Sequence, residues 1–286
     1  KTFLRLLRVI CEVIIYYPFA IYLAYLVYHH STLAGQYYQA AVSHLDFSSQ
    51  SELAWKSFLE TLSLNMYEGA SKIKDEITFL SEQATFGLEN ATKYSLCFGL
   101  LSVIFFVYLQ YIKKASKEII TIHLIALAFI CLLVGISTTM MNLIAFRDLP
   151  VIGTVVFKFE SKTIISVLQT FWQHDKYFVI LLVLLFSVIV PILKLLLSLF
   201  VMLDKQERYK KQLLNFIHVI GKWSMTDVFV VAVLLAFFTI NIDKTTDAWL
   251  GHGLYFFAVY SISSIFIGYL VFKNDNKTAA DSGEKT

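Results

Sequence analysis

Six long apolar runs dominate the sequence, each close to the length that a helix needs to cross a bilayer. They lie near residues 6–28, 95–112, 119–146, 177–203, 224–242 and 252–272. The hydrocarbon core is about 30 Å thick and a helix rises about 1.5 Å per residue, so roughly 20 apolar residues suffice for one crossing. The runs therefore predict an all-α fold, a polytopic membrane helix bundle with about six transmembrane helices.

The composition agrees with lipid as the main solvent. Hydrophobic residues make up 57% of the chain and charged residues only 16%, whereas a soluble domain carries about a quarter charged residues. The three cysteines fall inside apolar runs without a C-x-x-C pair, and no basic stripe suggests nucleic acid. We therefore expect no cofactor, no metal ion, no nucleic-acid partner and no enzymatic activity.

The distribution of lysine and arginine predicts the orientation. Basic residues flank the first run and fill the loops after the second and fourth runs, which by the positive-inside rule places these segments in the cytoplasm. Segment 29–94 has four lysines against eight acidic residues and is predicted to lie outside. Both termini are then cytoplasmic. The first run is too long for a signal-peptide core, so we interpret it as a retained helix.

The chain divides into three parts on this topology. Residues 1–118 form a transmembrane hairpin whose outer segment, 29–94, carries apolar residues at helical spacing. These outer helices either pack on each other and cover the membrane domain or form a docking surface for an extracytoplasmic partner. Residues 119–273 form a four-helix module, and the polar tail 274–286 is predicted to be disordered.

Lys194 is the most informative residue because it lies deep in the fourth run. It precedes Leu203 by nine residues, which is about 14 Å along a helix. An unpaired charge at that depth costs at least about 2.5–3.5 kcal/mol. A lysine stem is too short to bring the amine to the interface from there, so Lys194 is expected to face the bundle interior or a wet cavity.

Other polar residues align with Lys194. Ser187 and Ser198 lie on the same helix face, and Pro191 removes a backbone donor, so the helix can kink there. Serines in membrane helices are also common as small packing residues. Their significance here is that they share a face with the lysine.

A second charged residue, Asp227, begins the fifth run after Ser224 and Thr226. The spacing of Ser224 and Asp227 is typical of a helix N-cap followed by an acid that complements the helix dipole. The alternative is that Asp227 also reaches inward and pairs with Lys194, forming a site that can exchange a proton with cargo or water. Ser261 and Ser264 share one face of the last run and are further candidates for this polar network.

Several weaker features complete the prediction. Residues 137–142 give the third run a polar patch near its outer end. Segment 161–177 is amphipathic, so it is expected to lie on the outer face of the membrane or to re-enter it slightly. His123 and His252 lie near the membrane surfaces. We interpret both histidines as bystanders.

Two stretches of the module carry a family resemblance. The first contains Val190, Pro191 and Lys194, and the second reads WSMTDVF from Trp223 to Phe229. Together they resemble the paraquat-inducible protein A family, whose relatives include the lipophilic envelope-spanning tunnel A proteins. The resemblance covers roughly residues 119–272. This chain departs from the family pattern in having one module where several relatives have two, and in lacking the zinc ribbons that often precede it.

The resemblance implies a function. It implies an inner-membrane component that works with a periplasmic mammalian-cell-entry-type partner to move lipids between the inner and outer membranes. It also implies that Lys194 and Asp227 belong to a polar network, with Ser187, Ser224 and a hydroxyl of the last run as further members. The hairpin 1–112 is not part of this resemblance.

Two other functional classes stay open. A sensor would bind a ligand with its outer helices, although the inner loops are too short for an output domain. An intramembrane enzyme would need a catalytic motif, and neither G-x-S-x-G nor H-E-x-x-H occurs. No nucleotide-binding loop is present, so energy for transport would come from a separate ATPase, from an ion gradient or from no active source.

Overall fold

The computed structural model describes residues 2–44, 47–62, 69–112, 116–149, 153–203 and 246–283, with isolated positions 213 and 232. Its elements follow the chain in this order: α1 (Thr2–Ser43), α2 (Phe47–Leu62), α3 (Gly69–Val107) with a π-helical extension (Tyr108–Ile112), α4 (Lys117–Ser137), β1 (Met141–Leu149), β2 (Gly153–Lys162), α5 (Ile164–Gln173), α6 (Tyr177–Leu184), a π-helical turn (Leu185–Ile189), α7 (Val190–Leu203), β3 (Thr246–Leu250) and α8 (His252–Gly283). The architecture is a helix bundle capped by a small sheet.

Four helices in the described part of the chain are long and apolar enough to cross a membrane. They span Ser71–Tyr111, Lys117–Ser137, Tyr177–Leu203 and His252–Val271. The second, fourth and sixth predicted spans are thereby confirmed as membrane-length helices. The first, 6–28, lies within α1, which is not among these four, and the fifth, 224–242, lies outside the described residues. The protein is a multi-pass membrane protein, whereas the number six stays a prediction.

The outward faces of these helices are apolar. Leu100 of α3 is 64% exposed, Phe200 of α7 is 63% exposed and Phe266 of α8 is 58% exposed. Large apolar side chains on an outer surface are stable where lipid replaces water. α4 is the central helix, since it contacts α1, α5, α7 and α8.

The third predicted span, 119–146, was wrong at its outer end. α4 stops at Ser137, and the chain turns into a three-stranded antiparallel sheet with the order β2-β1-β3. Met141 pairs with Lys162 of β2 and with Leu250 of β3. A short apolar run has no periodicity that separates a strand from a helix, which is why the sequence did not reveal β1. The polar patch 137–142 consequently lies at the junction of helix and sheet.

The N-terminal helices α1 and α3 form a long antiparallel pair. Along its outer half the buried seam consists of small residues, which are Ser31, Ala34 and Ala41 of α1 with Ala84, Gly87 and Ala91 of α3. A Cβ at Gly87 would lie 3.0 Å from the Cβ of Ala34 and 3.2 Å from the carbonyl oxygen of His30. The two backbones therefore approach closely, as small residues allow.

Replacing Gly87 with leucine is expected to weaken this pair. The new side chain would meet the α1 backbone, and overpacking of this kind costs about 1–3 kcal/mol. The measurement is the apparent melting temperature of the purified protein in detergent, which should fall. Gly268→Leu on α8 is the matched control, because a Cβ there meets nothing within 4 Å. Equal stability of the two variants would contradict the close approach.

The outer half of the hairpin also packs on the sheet. Tyr38 of α1 stacks on Phe159 of β2, with ring centroids 6.0 Å apart, and lies 5.5 Å from Trp249 of β3. Segment 29–94 thus packs on itself and covers the outer part of the module. This agrees with the first of the two alternatives for these helices and leaves the second open.

The segment before the fourth run was predicted to be amphipathic. The amphipathic segment forms α5, with a reciprocal capping box between Thr163 and Ser166 and an exposed Trp172 that packs edge-on against Tyr177. An exposed tryptophan and tyrosine are typical of the membrane interface.

The tail 274–286, expected to be disordered, is instead helical as far as Gly283. It contains no proline and no internal glycine before that position, so nothing in the sequence ends α8 earlier.

Candidate functional site

The polar face predicted for the fourth run is buried inside the protein. Ser187 is 3% exposed, Lys194 8% and Ser198 0%, and Pro191 is also buried. Their spacing of four, three and four residues places them on one side of the helix. The opposite side carries Leu196 and Phe200, both exposed to the surroundings. The helix therefore turns its polar side inward and its apolar side to lipid.

The helix is locally widened next to Lys194. Leu185–Ile189 is π-helical, and the backbone N–H of Val190 donates to the carbonyl of Leu185, five residues earlier. The following residue, Pro191, has no N–H to donate. The expected disturbance at Pro191 thus takes the form of a π-helical turn rather than a simple kink. Such turns frequently occur at functional sites.

The helix that carries Lys194 packs against two others. α7 contacts both α4 and α8, and Leu195, adjacent to the lysine, is 2% exposed. Ser198 donates its hydroxyl to the Lys194 carbonyl over 2.8 Å, which satisfies that serine within the helix. Ser198 is therefore a packing residue, whereas Lys194 brings a charged side chain into the interior.

α8 contributes further hydroxyls to the interior. Ser261 is 7% exposed, Ser264 is 3% exposed and Tyr260 is fully buried. The hydroxyls of Tyr260 and Ser264 are one helical turn apart and interact with each other, and neither has a further hydrogen-bond partner among the described residues. Ser264 lies about 18 Å along the helix from His252, so it reaches a depth similar to that of Lys194. Sequence reasoning missed Tyr260, because a tyrosine in an apolar run is indistinguishable from an interfacial one.

Three of the predicted site residues belong to the fifth run. Ser224, Thr226 and Asp227 lie outside the described residues. Pairing between Asp227 and Lys194 stays a prediction. The structure brings Ser187, Pro191 and Lys194 onto one buried face, and it brings Ser261 and Ser264 onto the buried side of a helix that packs against α7.

Two glycines fix α8 against the end of α4. The N–H groups of Gly251 and Gly253 donate to the carbonyls of Met140 and Thr139, over 2.8 and 2.9 Å. A Cβ at Gly251 would collide with the Thr139 carbonyl, and one at Gly253 with the Thr138 carbonyl. Deeper in the membrane, a Cβ at Gly135 would lie 3.0 Å from the backbone of Phe257. This close docking sets the position of the α8 hydroxyls.

The two histidines interpreted as bystanders both join the hairpin to the module. Tyr17 of α1 and the Nδ1 atom of His123 share a hydrogen bond of 2.8 Å, and Phe105 of α3 packs edge-on against the His123 ring. At the other membrane surface, His252 Nε2 and the Thr92 hydroxyl share a hydrogen bond of 3.0 Å. No local pattern predicts the two hydrogen bonds, because each joins residues more than 100 positions apart.

Comparisons with known proteins identify relatives of the module. The chain is 30% identical over 86 residues to a probable intermembrane transport protein of Haemophilus influenzae (strain Rd); the match covers 28% of this chain. The chain spans only 21% of that relative's length. No solved structure matches. The family model for paraquat-inducible protein A matches residues 124–272, more than half of the chain, including all of α7 and the membrane part of α8. This chain belongs to the paraquat-inducible protein A family.

Proposed function

We propose that the protein is an inner-membrane subunit of a system that transports lipids between the inner and outer membranes. The family supports a membrane module of this kind, and the Haemophilus influenzae relative is named as a probable intermembrane transport protein. The single observation that carries the proposal is the burial of Lys194 on an inward polar face of a helix that is apolar everywhere else. The cargo is a lipid with an anionic head group.

The chemistry of the site supports this cargo. An ammonium in a low-dielectric interior attracts a phosphate strongly, and a charge-assisted hydrogen bond to it is about twice as strong as a neutral one. The apolar helices around it accept the lipid tails. Ser187, Ser261 and Ser264 would contribute neutral hydrogen bonds to the head group, and the widened turn at Pro191 would give the lysine room to reach it.

The motif WSMTDVF extends the proposed network to Ser224, Thr226 and Asp227. Asp227 would hold the ammonium in place when no cargo is bound and release it to a phosphate when cargo arrives. A carboxylate and an ammonium that exchange partners in this way can take up or release a proton, so the proposal includes coupling to protons. The two termini lie in the cytoplasm, and the sheet with the outer hairpin lies in the periplasm.

The proposed partner is a periplasmic lipid-transfer protein of the mammalian-cell-entry type. The outer part of α3 supports a docking role, because Phe79 is 58% exposed and Phe86 is 57% exposed. These residues lie seven positions apart, on one face of the helix. Exposed aromatic residues outside the predicted membrane span are characteristic of protein interfaces.

Replacing Phe79 and Phe86 together with alanine is expected to weaken partner binding. Interface aromatic residues contribute about 1–2 kcal/mol or more each, which corresponds to at least about a tenfold loss of affinity for the pair. The amount of periplasmic protein that co-purifies from the native membrane measures the effect. A variant with Leu96 and Leu100 replaced by alanine controls for general damage, because both residues are exposed in the membrane part of α3. Undiminished co-purification would remove this face from the interface.

The proposed function is tested by purifying the protein from its native membrane and identifying the proteins and lipids that accompany it. A periplasmic lipid-binding partner together with an enriched anionic lipid is the expected result. Recovery of a soluble ligand, with no lipid and no lipid-binding partner, would favour a sensor whose outer helices bind that ligand and would overturn the transport proposal.

A further inference from the structure

A membrane-facing groove separates the hairpin from the family module. It has a volume of about 490 Å³ and is lined by α3 with its π-helical extension, α4 and α8. Its lining runs along α3 from Ser95 to Gln110, which is about 22 Å of helix. The helices that form it are all of membrane length, so the groove lies in the hydrocarbon region. It crosses the bilayer midplane, because half the hydrocarbon core is only about 15 Å thick.

The lining of the groove is mostly apolar, and its serines are already hydrogen-bonded within their helix. Phe98, Phe106 and Phe256 contribute aromatic surface. Of the hydroxyls in the lining, Ser95 donates to the carbonyl of Ala91 over 2.7 Å and Ser102 to that of Phe98 over 2.8 Å. Because both serines are satisfied by their own helix, the middle of the groove presents no demand for a polar ligand, and two other polar side chains of the lining, Gln110 and Tyr255, lie toward its ends.

The dimensions of the groove discriminate between possible occupants. The whole empty volume of the groove, about 1080 Å³, divided by its length gives a mean cross-section of about 48 Å². A helix from another protein, about 10–12 Å across with its side chains, needs roughly 80–110 Å². A hydrocarbon chain, whose carbons pack at separations of about 4 Å, needs less than the space observed. The groove therefore accommodates an acyl tail and is too narrow to take in a whole helix.

The position of Gly99 indicates that the groove is open space and not a gap left by poor packing. It lines the groove, and a Cβ there would meet nothing within 4 Å. We propose that this groove between the hairpin and the module binds one acyl tail of a bilayer phospholipid, with Gly99 keeping the channel open. The hairpin then forms one wall of a lateral lipid site. The link between this site and transport rests on the function proposed above, whereas tail binding itself does not.

The test uses a phospholipid with a diazirine in one acyl chain, incorporated into vesicles of phosphatidylethanolamine and phosphatidylglycerol that hold the full chain. After illumination, mass spectrometry maps the adducts. Adducts are expected to concentrate at Val103 and Val259, which line the groove, relative to Leu100 and Phe266, which are exposed but do not line it. Equal labelling of both sets, as annular lipid alone would produce, overturns the proposal.

The second part of the test fills the groove with a larger side chain. Gly99→Phe is expected to lower the adducts at Val103 and Val259 by about tenfold, a loss of about 1.4 kcal/mol in binding, while Gly268→Phe leaves them unchanged. Gly268 is the matched control, because it also has open space for a Cβ but lies outside the groove lining. Unchanged adducts in Gly99→Phe, or cross-links to a co-purifying membrane protein in place of lipid, would overturn the assignment.

Lipid-transfer measurements on the same variants separate this inference from the proposed function. If Gly99→Phe loses the groove adducts but transfers lipid normally while Lys194→Met does not, the groove binds a structural lipid and its link to transport is wrong. If neither variant affects transfer and the groove adducts persist in the unmodified protein, tail binding stands and the proposed function fails.

Discussion

Replacement of Lys194 with methionine should abolish most lipid transfer while leaving the protein folded. Methionine keeps the length and apolar packing of the lysine stem but removes the ammonium. The charge-assisted hydrogen bond that it would give a phosphate contributes about 1.5–3 kcal/mol, so transfer is expected to fall by about one to two orders of magnitude. Transfer of a fluorescent anionic lipid between vesicles, with the protein and its partner present, measures the effect.

Two variants control this result. Lys194→Arg keeps a cation and should retain part of the activity, whereas Leu196→Met alters the exposed side of the same helix and should retain all of it. Removing one partner of a buried ion pair lowers stability, so the transfer rate of Lys194→Met is expressed per amount of protein that elutes as a folded species in size-exclusion chromatography. Full transfer activity in Lys194→Met would remove the lysine from the mechanism.

Replacement of Gly251 or Gly253 with alanine should destabilise the module more than any other single methyl addition described here. Each new methyl group would collide with a backbone carbonyl, of Thr139 or Thr138, and backbone atoms move less readily than side chains. The cost is expected at the upper end of overpacking effects, about 3 kcal/mol or more. Fluorescence-detected size-exclusion chromatography after heating measures it as a lower temperature of half-aggregation.

Gly268→Ala is the control on the same helix. A methyl group there meets nothing within 4 Å, and alanine favours a helix over glycine by up to about 1 kcal/mol. The control should therefore be as stable as the unmodified protein or slightly more stable. Normal stability of both Gly251→Ala and Gly253→Ala would show that the contact between the start of α8 and the end of α4 is looser than described.

The sequence predicted those features that depend on local pattern. Tyr177–Leu203 and His252–Val271 were found almost to the residue, because a membrane crossing needs a run of apolar residues of fixed length. The inward orientation of Lys194, Ser187 and Ser198 was also foreseen, since a charge at bilayer depth has few other places to go. These arguments concern one helix and its solvent and do not require knowledge of its neighbours.

Features that depend on contacts between distant segments were missed. β1 was interpreted as the end of a membrane helix, although its pairing with β2 and β3 makes it the central strand of a sheet. The docking of Gly251 against Thr139 and the contact of His252 with Thr92 leave no periodic pattern. Nor did the sequence predict the groove, because it is formed where segments distant in the sequence meet without filling the space between them.

The central claim is that the ammonium of Lys194 binds the anionic head group of a lipid. Native mass spectrometry of the protein from vesicles with equal amounts of phosphatidylglycerol and phosphatidylcholine tests it most directly. The account predicts that phosphatidylglycerol is retained preferentially by the unmodified protein and that Lys194→Met loses this preference. Identical lipid retention by the two proteins, with no preference for the anionic lipid in either, would contradict it.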